Sequence, residues 1–479
     1  MEAVTSIKPV LAIAVSLLAA GAILWLHGRD NLRDAVSLVA AVVKFLIVIS
    51  MAPVVLAGGT VEITLFEILP GVDFAFRVDS LGMVFATVSS MLWIVAAVYC
   101  IGYMRSLKEH SQTRFFASFA VSLSAAVGGA FAANLFTLVI FYEALSLVTY
   151  PLVYLVGASK TFLLAGLALT YQVAGTLDFK PTGLFDGVDA SDLLLSAVYL
   201  CYLAGFAKGA IMPFHAWLPA AMVAPTPVSA LLHAVAVVKM GVFCILRLVF
   251  HVMGVDLMDR LGLGIATAYL VSFTIITASI YALTRDDLKA RLAYSTISQL
   301  SYIVLGAVML TPMAMVGGII HIAAHALSKI TLFFCAGSIY CASRRKKISD
   351  LAGIGRKLPW TMVAFFIGSL GMIGVPPTGG FISKWYLVMG SVDAREMVFL
   401  AVLLVSSVLN AAYFLPVTYT AFFEKEKAGP AGDDPEAVAP DDIREIPLVT
   451  IPLVATAILS VVMGVFPGYF LTLAAGVVP

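Results

Sequence analysis

The sequence has 479 residues, 61% of them hydrophobic and only 12% charged, with a formal net charge of +1. A soluble chain carries about 25% charge, and one this apolar has more greasy surface than a core can hide, so the bilayer is its expected solvent. The near-zero charge balance gives no nucleic-acid signal, and Cys100, Cys201, Cys244, Cys335 and Cys341 have neither metal-ligand nor disulfide-framework spacing.

The first apolar run lacks a basic start and a cleavage site, and many similar runs follow, so it reads as a first span rather than a signal peptide. Runs long enough to cross a hydrocarbon layer of about 30 Å fall near 7–27, 35–57, 80–104, 114–133, 135–156, 159–177, 191–217, 225–250, 260–283, 290–310, 312–342, 359–390, 396–423 and 447–475. The predicted fold is an all-α polytopic membrane protein of about 14 transmembrane helices, since backbone polar groups inside lipid must be satisfied within each segment. Between the second and third runs, "GGTVEITLFEILPGVDFAFRVDSLG" alternates about a Gly-Val-Asp and predicts a β-hairpin. Near the C-terminus, "EKEKAGPAGDDPEAVAPDDIREIP" is polar, acidic and proline-rich, the pattern of a mobile loop. Lys and Arg concentrate in alternate loops, at Arg29 and Arg33, at Arg105, Lys108 and Arg114, at Arg285, Lys289 and Arg291, and in "SRRKKISDLAGIGRKLP". Such loops face the cytoplasm, which puts both termini on the outer side of a cell (inner) membrane.

A few charges fall inside the runs. Glu143 lies in "LFTLVIFYEALSLVTYPLVYL", Lys44 in the second run, and Lys208, Lys239, Lys329 and Lys384 in later ones. A charge at mid-membrane costs about 2.5–3.5 kcal/mol, so four such lysines cost on the order of 10 kcal/mol unless partners or water hold them, and function is the default reading. Lys44 reads instead as structural or snorkelling, and Arg247, near a run end, as an interface anchor. His321, His325 and Lys329 follow an i, i+4, i+8 spacing that sets them on one helix stripe. Two imidazoles and an amine so arranged suit a proton relay. A structural hydrogen-bonded stripe stays open beside it, and no third ligand makes a metal site. His215 and His233 divide evenly between relay and satisfied interior histidine.

Proline adds a second signal. Pro213 and Pro219 interrupt the seventh run after Lys208, and Gly374, Pro376, Pro377, Gly379 and Gly380 interrupt the twelfth before Lys384. Proline breaks helices, and a broken helix survives in lipid only where protein or water satisfies the freed groups. Two breaks five spans apart, each beside a lysine, point to inverted five-helix repeats. The organisation expected is residues 1–113, three helices with the outer hairpin; 114–252 and 253–424, the repeats; 425–446, the acidic loop; and 447–479, the last helix. Water at a break lets an ammonium load and release a proton as a carboxylate approaches or withdraws.

Together "FYEALSLVTYPL", "AKGAIMPFHAWLPAAMVAPTPVSALLHA", "DDLKARLAYSTISQLSY", "HIAAHALSKITLFF" and "GVPPTGGFISKW" resemble the antiporter-like proton-translocating subunits of respiratory complex I, Mrp-type sodium/proton antiporters and membrane-bound hydrogenases. The resemblance covers nearly the whole chain. It implies 14 helices with inverted repeats and discontinuous seventh and twelfth helices. By position, Glu143 matches the family's fifth-helix glutamate and Lys208 the seventh-helix lysine that pairs with it. Lys239 matches the central lysine, His321, His325 and Lys329 the eleventh-helix relay, and Lys384 the ionisable residue near the outward path.

The function expected is proton movement through a hydrated chain of buried Glu, Lys and His, with no cofactor and no bound metal on this chain. The partners implied are other integral membrane subunits and the lipid bilayer, with H+ as the ion and Na+ left open. A role like that of the D-type Mrp subunit is favoured, because the long lateral helix of the L-type subunit is absent and Lys384 stands where the M-type usually has glutamate. A proton-pumping subunit of a complex I-like NADH–quinone oxidoreductase or a membrane-bound hydrogenase is the alternative, and a stand-alone solute transporter a further one. No redox site can be argued on this chain, so any enzyme activity belongs to the assembly.

Overall fold

A computed structural model describes residues 3–149, 157–425, 438 and 442–478, except the side chains of Leu69, Gly157, Ala158, Leu232 and His233. The fold is mostly helical, and seven of its described helices are long and apolar enough to cross a membrane. α1 (Lys8–Trp25), α2 (Asp30–Ile49) and the short α3 (Ala52–Leu56) lead into β2 (Thr60–Leu69) and β3 (Val72–Val78), which pair antiparallel about Gly71, while β1 (Ala3–Thr5) adds to β2 in parallel. α4 (Ser80–Ser106), α5 (Gln112–Ala130), α6 (Leu135–Val148) and α7 (Gly157–Ala174) follow. The starts are chemically marked. Asp79 accepts from the Gly82 amide to cap α4, and Asn134 accepts from Thr137 to cap α6. Proline opens α1 and several later helices, where its missing N–H costs nothing.

The seventh run divides. α8 (Asp192–Gly205) gives way to a 3-10 turn at Ala207–Gly209, and helix resumes only at α9 (Trp217–Ala220). The break thus begins at Phe206, ahead of Pro213, and Lys208 sits within it. The eighth run is also interrupted: α10 (Thr226–Ala230), a π segment at Leu231–Val235, α11 (Val237–Arg247) and a second π segment at Leu248–Met253. α12 (Val255–Arg260), α13 (Leu263–Leu283) and α14 (Leu288–Val308) precede α15 (Pro312–Ser343), an unbroken helix buried along nearly its whole length. The twelfth run becomes α16 (Pro359–Ile373) and α17 (Gly379–Asp393), separated at Gly374 with φ of 90°. Gly380 shows how tightly the halves cross: a Cβ there would collide with the Gly371 carbonyl oxygen. α18 (Met397–Phe423), α19 (Pro447–Val465) and α20 (Gly468–Ala475) complete the chain. Most of the acidic 425–446 stretch and residues 150–156 of the fifth run lie outside the described residues.

A cavity of about 640 Å³ is lined by Ala3, Glu62, Arg77, Asp79, His251 and Val478, among others, so both chain ends and the hairpin share one end of the bundle. The basic loops at Lys289, Arg345 and Lys346 border a smaller cavity of about 180 Å³, beside Tyr103 and Thr226.

One single-residue expectation changes and another narrows to its structural reading. Arg247 is no interface anchor: it is 1% exposed and forms a bidentate pair with Asp79, 168 residues earlier, so a buried charge is matched rather than left to reach solvent. Lys44 does not snorkel. Its fully buried amine donates to Ser16 Oγ and the Leu123 carbonyl, each at 2.7 Å, and lies 5.5 Å from the centre of the Trp93 ring, pinning three helices.

Candidate functional site

Broken helices and the stripe of α15 bring most of the singled-out residues into one line. Lys239 is buried on α11, and its Nζ lies 2.6 Å from His325 Nδ1. The contact works in both directions: an ammonium can only donate to Nδ1, whereas a neutral amine can accept from Nδ1–H. Four residues away on the same helix, His321 lies parallel to His325, with ring centroids 6.0 Å apart.

The partners of His321 narrow its hydrogens to two arrangements. Ser383 Oγ donates to the Gly380 carbonyl at 3.1 Å, so towards His321 Nδ1, 2.8 Å away, it accepts. His321 Nε2 lies 3.0 Å from Gln299 Oε1, while Gln299 Nε2 has no hydrogen-bond partner among the described residues. With the amide in this orientation both ring nitrogens donate and the imidazole is a cation. With the amide turned over, its NH2 donates to a bare Nε2, the ring is neutral, and the orphaned nitrogen is satisfied. Gln299 can therefore serve either protonation state.

Beyond His321 stands Tyr302, its ring stacked at 5.5 Å, and the Lys384 amine lies 4.8 Å from the centre of that ring. Lys384 Nζ donates to the carbonyls of Met372 at 2.8 Å and Ile373 at 3.0 Å, and to Ser407 Oγ at 3.2 Å. These carbonyls are the last of α16, freed by the break and at the negative end of its dipole, which is where an ammonium belongs.

Lys329 begins a second branch. Its Nζ donates to Ser295 Oγ at 2.9 Å, Tyr413 donates to the same oxygen at 3.1 Å, and Tyr413 also bonds Asn410. Asn410 Nδ2 then reaches the Met372 carbonyl at 3.2 Å, the acceptor of Lys384.

The first break is arranged differently from expectation. Lys208 Nζ donates to the Tyr142 carbonyl at 2.5 Å and lies over that residue's ring, 3.5 Å from its centre. Glu143 does not pair with Lys208; its carboxylate bonds Lys160 of α7 at 3.0 Å, with the two side chains 27% and 40% exposed. Glu143 is eight residues into α6, about 12 Å along its axis. Lys208 is coupled to the line through backbone, since Gly241 of α11 packs directly on the Lys208–Gly209 peptide. His215 sits half-buried at the far end of the break, just before α9, outside the line, and its Nδ1 has no partner among the described residues. The His233 side chain lies outside the described residues; its backbone belongs to the first π segment.

Lys160, Gln299, Ser383, Ser295, Tyr413 and Asn410 carry no signal in the sequence. Lys160 stands at the edge of an apolar run, where a lysine attracts no notice, and the others are uncharged. No three His, Cys, Asp or Glu side chains converge as a metal site among the described residues.

A family model described as "NADH:quinone oxidoreductase/Mrp antiporter, TM" matches residues 132–410. The chain is 33% identical to an NADH-quinone oxidoreductase subunit N of Desulforudis audaxviator, over 78% of each chain. It is 32% identical to the A-type subunit of a Na(+)/H(+) antiporter of Alkalihalophilus pseudofirmus, over 75% of this chain but only 48% of that relative, so it spans about half of the longer protein. In fold it is similar to a chain of the Mrp complex from Dietzia, with a TM-score of 0.86, 22% identity and coverage of 99% and 97%. A chain of an archaeal membrane-bound sulfane sulfur reductase gives 0.83 at 23% identity, covering 98% and 97%.

Proposed function

Because the chain belongs to the NADH:quinone oxidoreductase/Mrp antiporter transmembrane family, we propose that it is an antiporter-like subunit that carries protons through the membrane part of a multisubunit complex. The observation that carries this reading is the buried row that runs from the Lys239–His325 hydrogen bond, across the stacked His325 and His321 rings, to the His321–Ser383 hydrogen bond and ends near Lys384 at the second helix break. In this reading Glu143 and Lys208 load the first break, Lys239 and the α15 stripe pass the proton along, and Lys384 releases it. Support comes from burial: amines and imidazoles are costly in a membrane core and persist where they exchange protons. The two breaks, each beside a lysine, favour inverted repeats at 114–252 and 253–424, and the alternation of basic loops favours outer termini.

The matched length of the N-type relative favours a complex I-like assembly; a role like that of the D-type Mrp subunit rests on the sequence, with Lys384 at the twelfth-run break, and stands as the equal alternative. Purifying the intact assembly separates them: flavin and iron–sulfur companions indicate an oxidoreductase, and small hydrophobic companions alone an antiporter. The core reading is tested by Lys239→Ala in the assembled complex. Proton transport should disappear while assembly persists, and full transport in the variant refutes the reading.

A further inference from the structure

We infer that the chain binds the headgroup of an anionic phospholipid in an open cleft of about 730 Å³ between the α1–α2 turn and the end of α4 with the loop that follows it. The cleft lies outside residues 132–410, the part that the family model matches, and no residue of the Lys239–Lys384 row lines it. Its level in the bilayer follows from length. α1 has 18 residues, about 27 Å of helix, against a hydrocarbon layer of about 30 Å. The chain ends and the hairpin share one end of the bundle, so residues 28–32, just past the opposite end of α1, stand where headgroups begin. Trp25, the last residue of α1, is 85% exposed, as an interfacial aromatic is. Leu11, Leu18 and Trp25 on α1, and Leu32, Val39 and Leu46 on α2, are all exposed and recur every seven residues, which keeps each set on one helix face. Two apolar tracks for acyl chains therefore lead to the cleft.

The charges around the cleft leave one sign over. Arg33, buried behind it, binds Asp30 and Asp34, each at 2.8 Å, and Arg105 binds Asp34 at 2.5 Å and Asn31 Oδ1 at 2.8 Å. Gln112 is engaged as well, accepting from Arg33 at 3.0 Å and donating to the Met104 and Glu109 carbonyls. Both acids are thus spent on two arginines. Arg29 and Lys108 line the same cleft from different loops, and neither side chain has an acid or an acceptor among the described residues. Asn31, its oxygen taken by Arg105, has only its NH2 to offer. Arg29, Arg33, Arg105 and Lys108 against Asp30 and Asp34 leave a surplus of two positive charges. A phosphodiester is the complement, since it accepts from a guanidinium, an ammonium and an amide at once, and basic pockets between membrane helices take lipid headgroups in this way. A soluble anion meets the same cations but makes no use of the apolar tracks, so the occupant is a membrane lipid. Bound there, its phosphate ties the α1–α2 turn to the α4–α5 loop.

The test uses the assembled complex, delipidated in a neutral detergent and titrated with phosphatidylglycerol that carries a photoreactive headgroup. Labelling of peptides covering residues 24–32 and 104–112 should saturate. A basic side chain beside a lipid headgroup is worth about a fivefold change in binding, so the half-saturating concentration should rise about fivefold in Arg29→Gln and in Lys108→Gln, and about 30-fold in the double variant. Both side chains are exposed, so the variants should assemble as wild type does. Arg356→Gln removes an exposed arginine from another basic loop and should leave the titration unchanged. Unlabelled phosphatidylglycerol should compete, and zwitterionic phosphatidylcholine at the same concentration should not. Labelling that does not saturate, an unchanged titration in the double variant, or an equal loss in Arg356→Gln overturns the site. Competition by inorganic phosphate as effective as that by phosphatidylglycerol makes it a site for a free anion and overturns the lipid assignment. Absence of labelling in the assembled complex means that a partner subunit covers the cleft, and overturns it too.

Discussion

His325 offers the most discriminating perturbation, because its Nδ1 is the one hydrogen-bond partner of the Lys239 amine among the described residues. His325→Phe keeps a flat ring between Lys239 and His321 but removes both nitrogens. A positioned proton-transfer group is worth on the order of 10²–10⁴ in rate, so flux should fall at least about 100-fold, a barrier increase of about 2.7 kcal/mol. Stability changes less. Leaving a neutral Lys239 amine without its partner costs about 1–3 kcal/mol, tolerable against a typical 5–15 kcal/mol, and a buried amine can shed its proton instead of standing as an unpaired charge, so the complex should still assemble. His325→Ala behaves differently. The vacated ring volume exceeds the ~30 Å³ share of one water, and the site keeps polar neighbours for it. A bridging water is nearly as good as a direct hydrogen bond, so the deficit should shrink to about tenfold, ~1.4 kcal/mol. The assay is proton flux into proteoliposomes followed with a pH-sensitive dye and normalised to assembled complex. A Phe variant as fast as wild type refutes the relay. Ala and Phe variants equally slow refute the claim that the nitrogens act by handing on a proton.

Asp79→Ala strands the buried Arg247 and removes the cap of α4, and should cost about 3–5 kcal/mol, read as a large drop in thermal stability of the detergent-solubilised complex. Gly241→Ala drives a Cβ into the Gly209 amide nitrogen and the Lys208 carbonyl carbon. Backbone must move, at about 1–3 kcal/mol, and flux should fall with it, whereas Gly21→Ala meets nothing within 4 Å and serves as the silent control. Ser295→Ala combined with Tyr413→Phe cuts the Lys329 branch and should slow flux less than His325→Phe; a larger effect makes that branch the main route.

What the order of residues reveals by itself follows from what is expensive in a membrane. Apolar runs must be helices, so α1, α4, α13, α14, α15 and α18 fall where the runs do. Glycine and proline clusters weaken helices by their own backbone chemistry, so both breaks are foreseeable, although the first opens at Phe206 rather than Pro213. The spacing of His321, His325 and Lys329 needs only helical periodicity to become a stripe. Partners that depend on distant chain segments carry no such mark. Arg247 looks like an anchor because it stands near a run end while Asp79 lies 168 residues away, and Glu143 is matched to Lys208 only through the family resemblance, since nothing in its neighbourhood singles out Lys160. Gln299, Ser383, Tyr413 and Asn410 are cheap enough on any hydropathy scale to pass as ordinary filling. The π segments flanking α11 have no compositional signature at all.

The same economy constrains how protons can advance. The proposed relay beyond the first break holds amines and imidazoles and, among the described residues, no carboxylate, so its members compete for positive charge. Two unit charges 6.0 Å apart, the separation of the His321 and His325 rings, repel by about 3 kcal/mol at an effective dielectric constant of 20. Double occupancy of neighbouring sites is therefore disfavoured, and in the proposed reading a proton that arrives at one site displaces the next. Advance by displacement needs a bias at one end only. In the proposed function that bias comes from the first break, where Glu143 and Lys208 lie on either side of the Tyr142–Glu143 peptide.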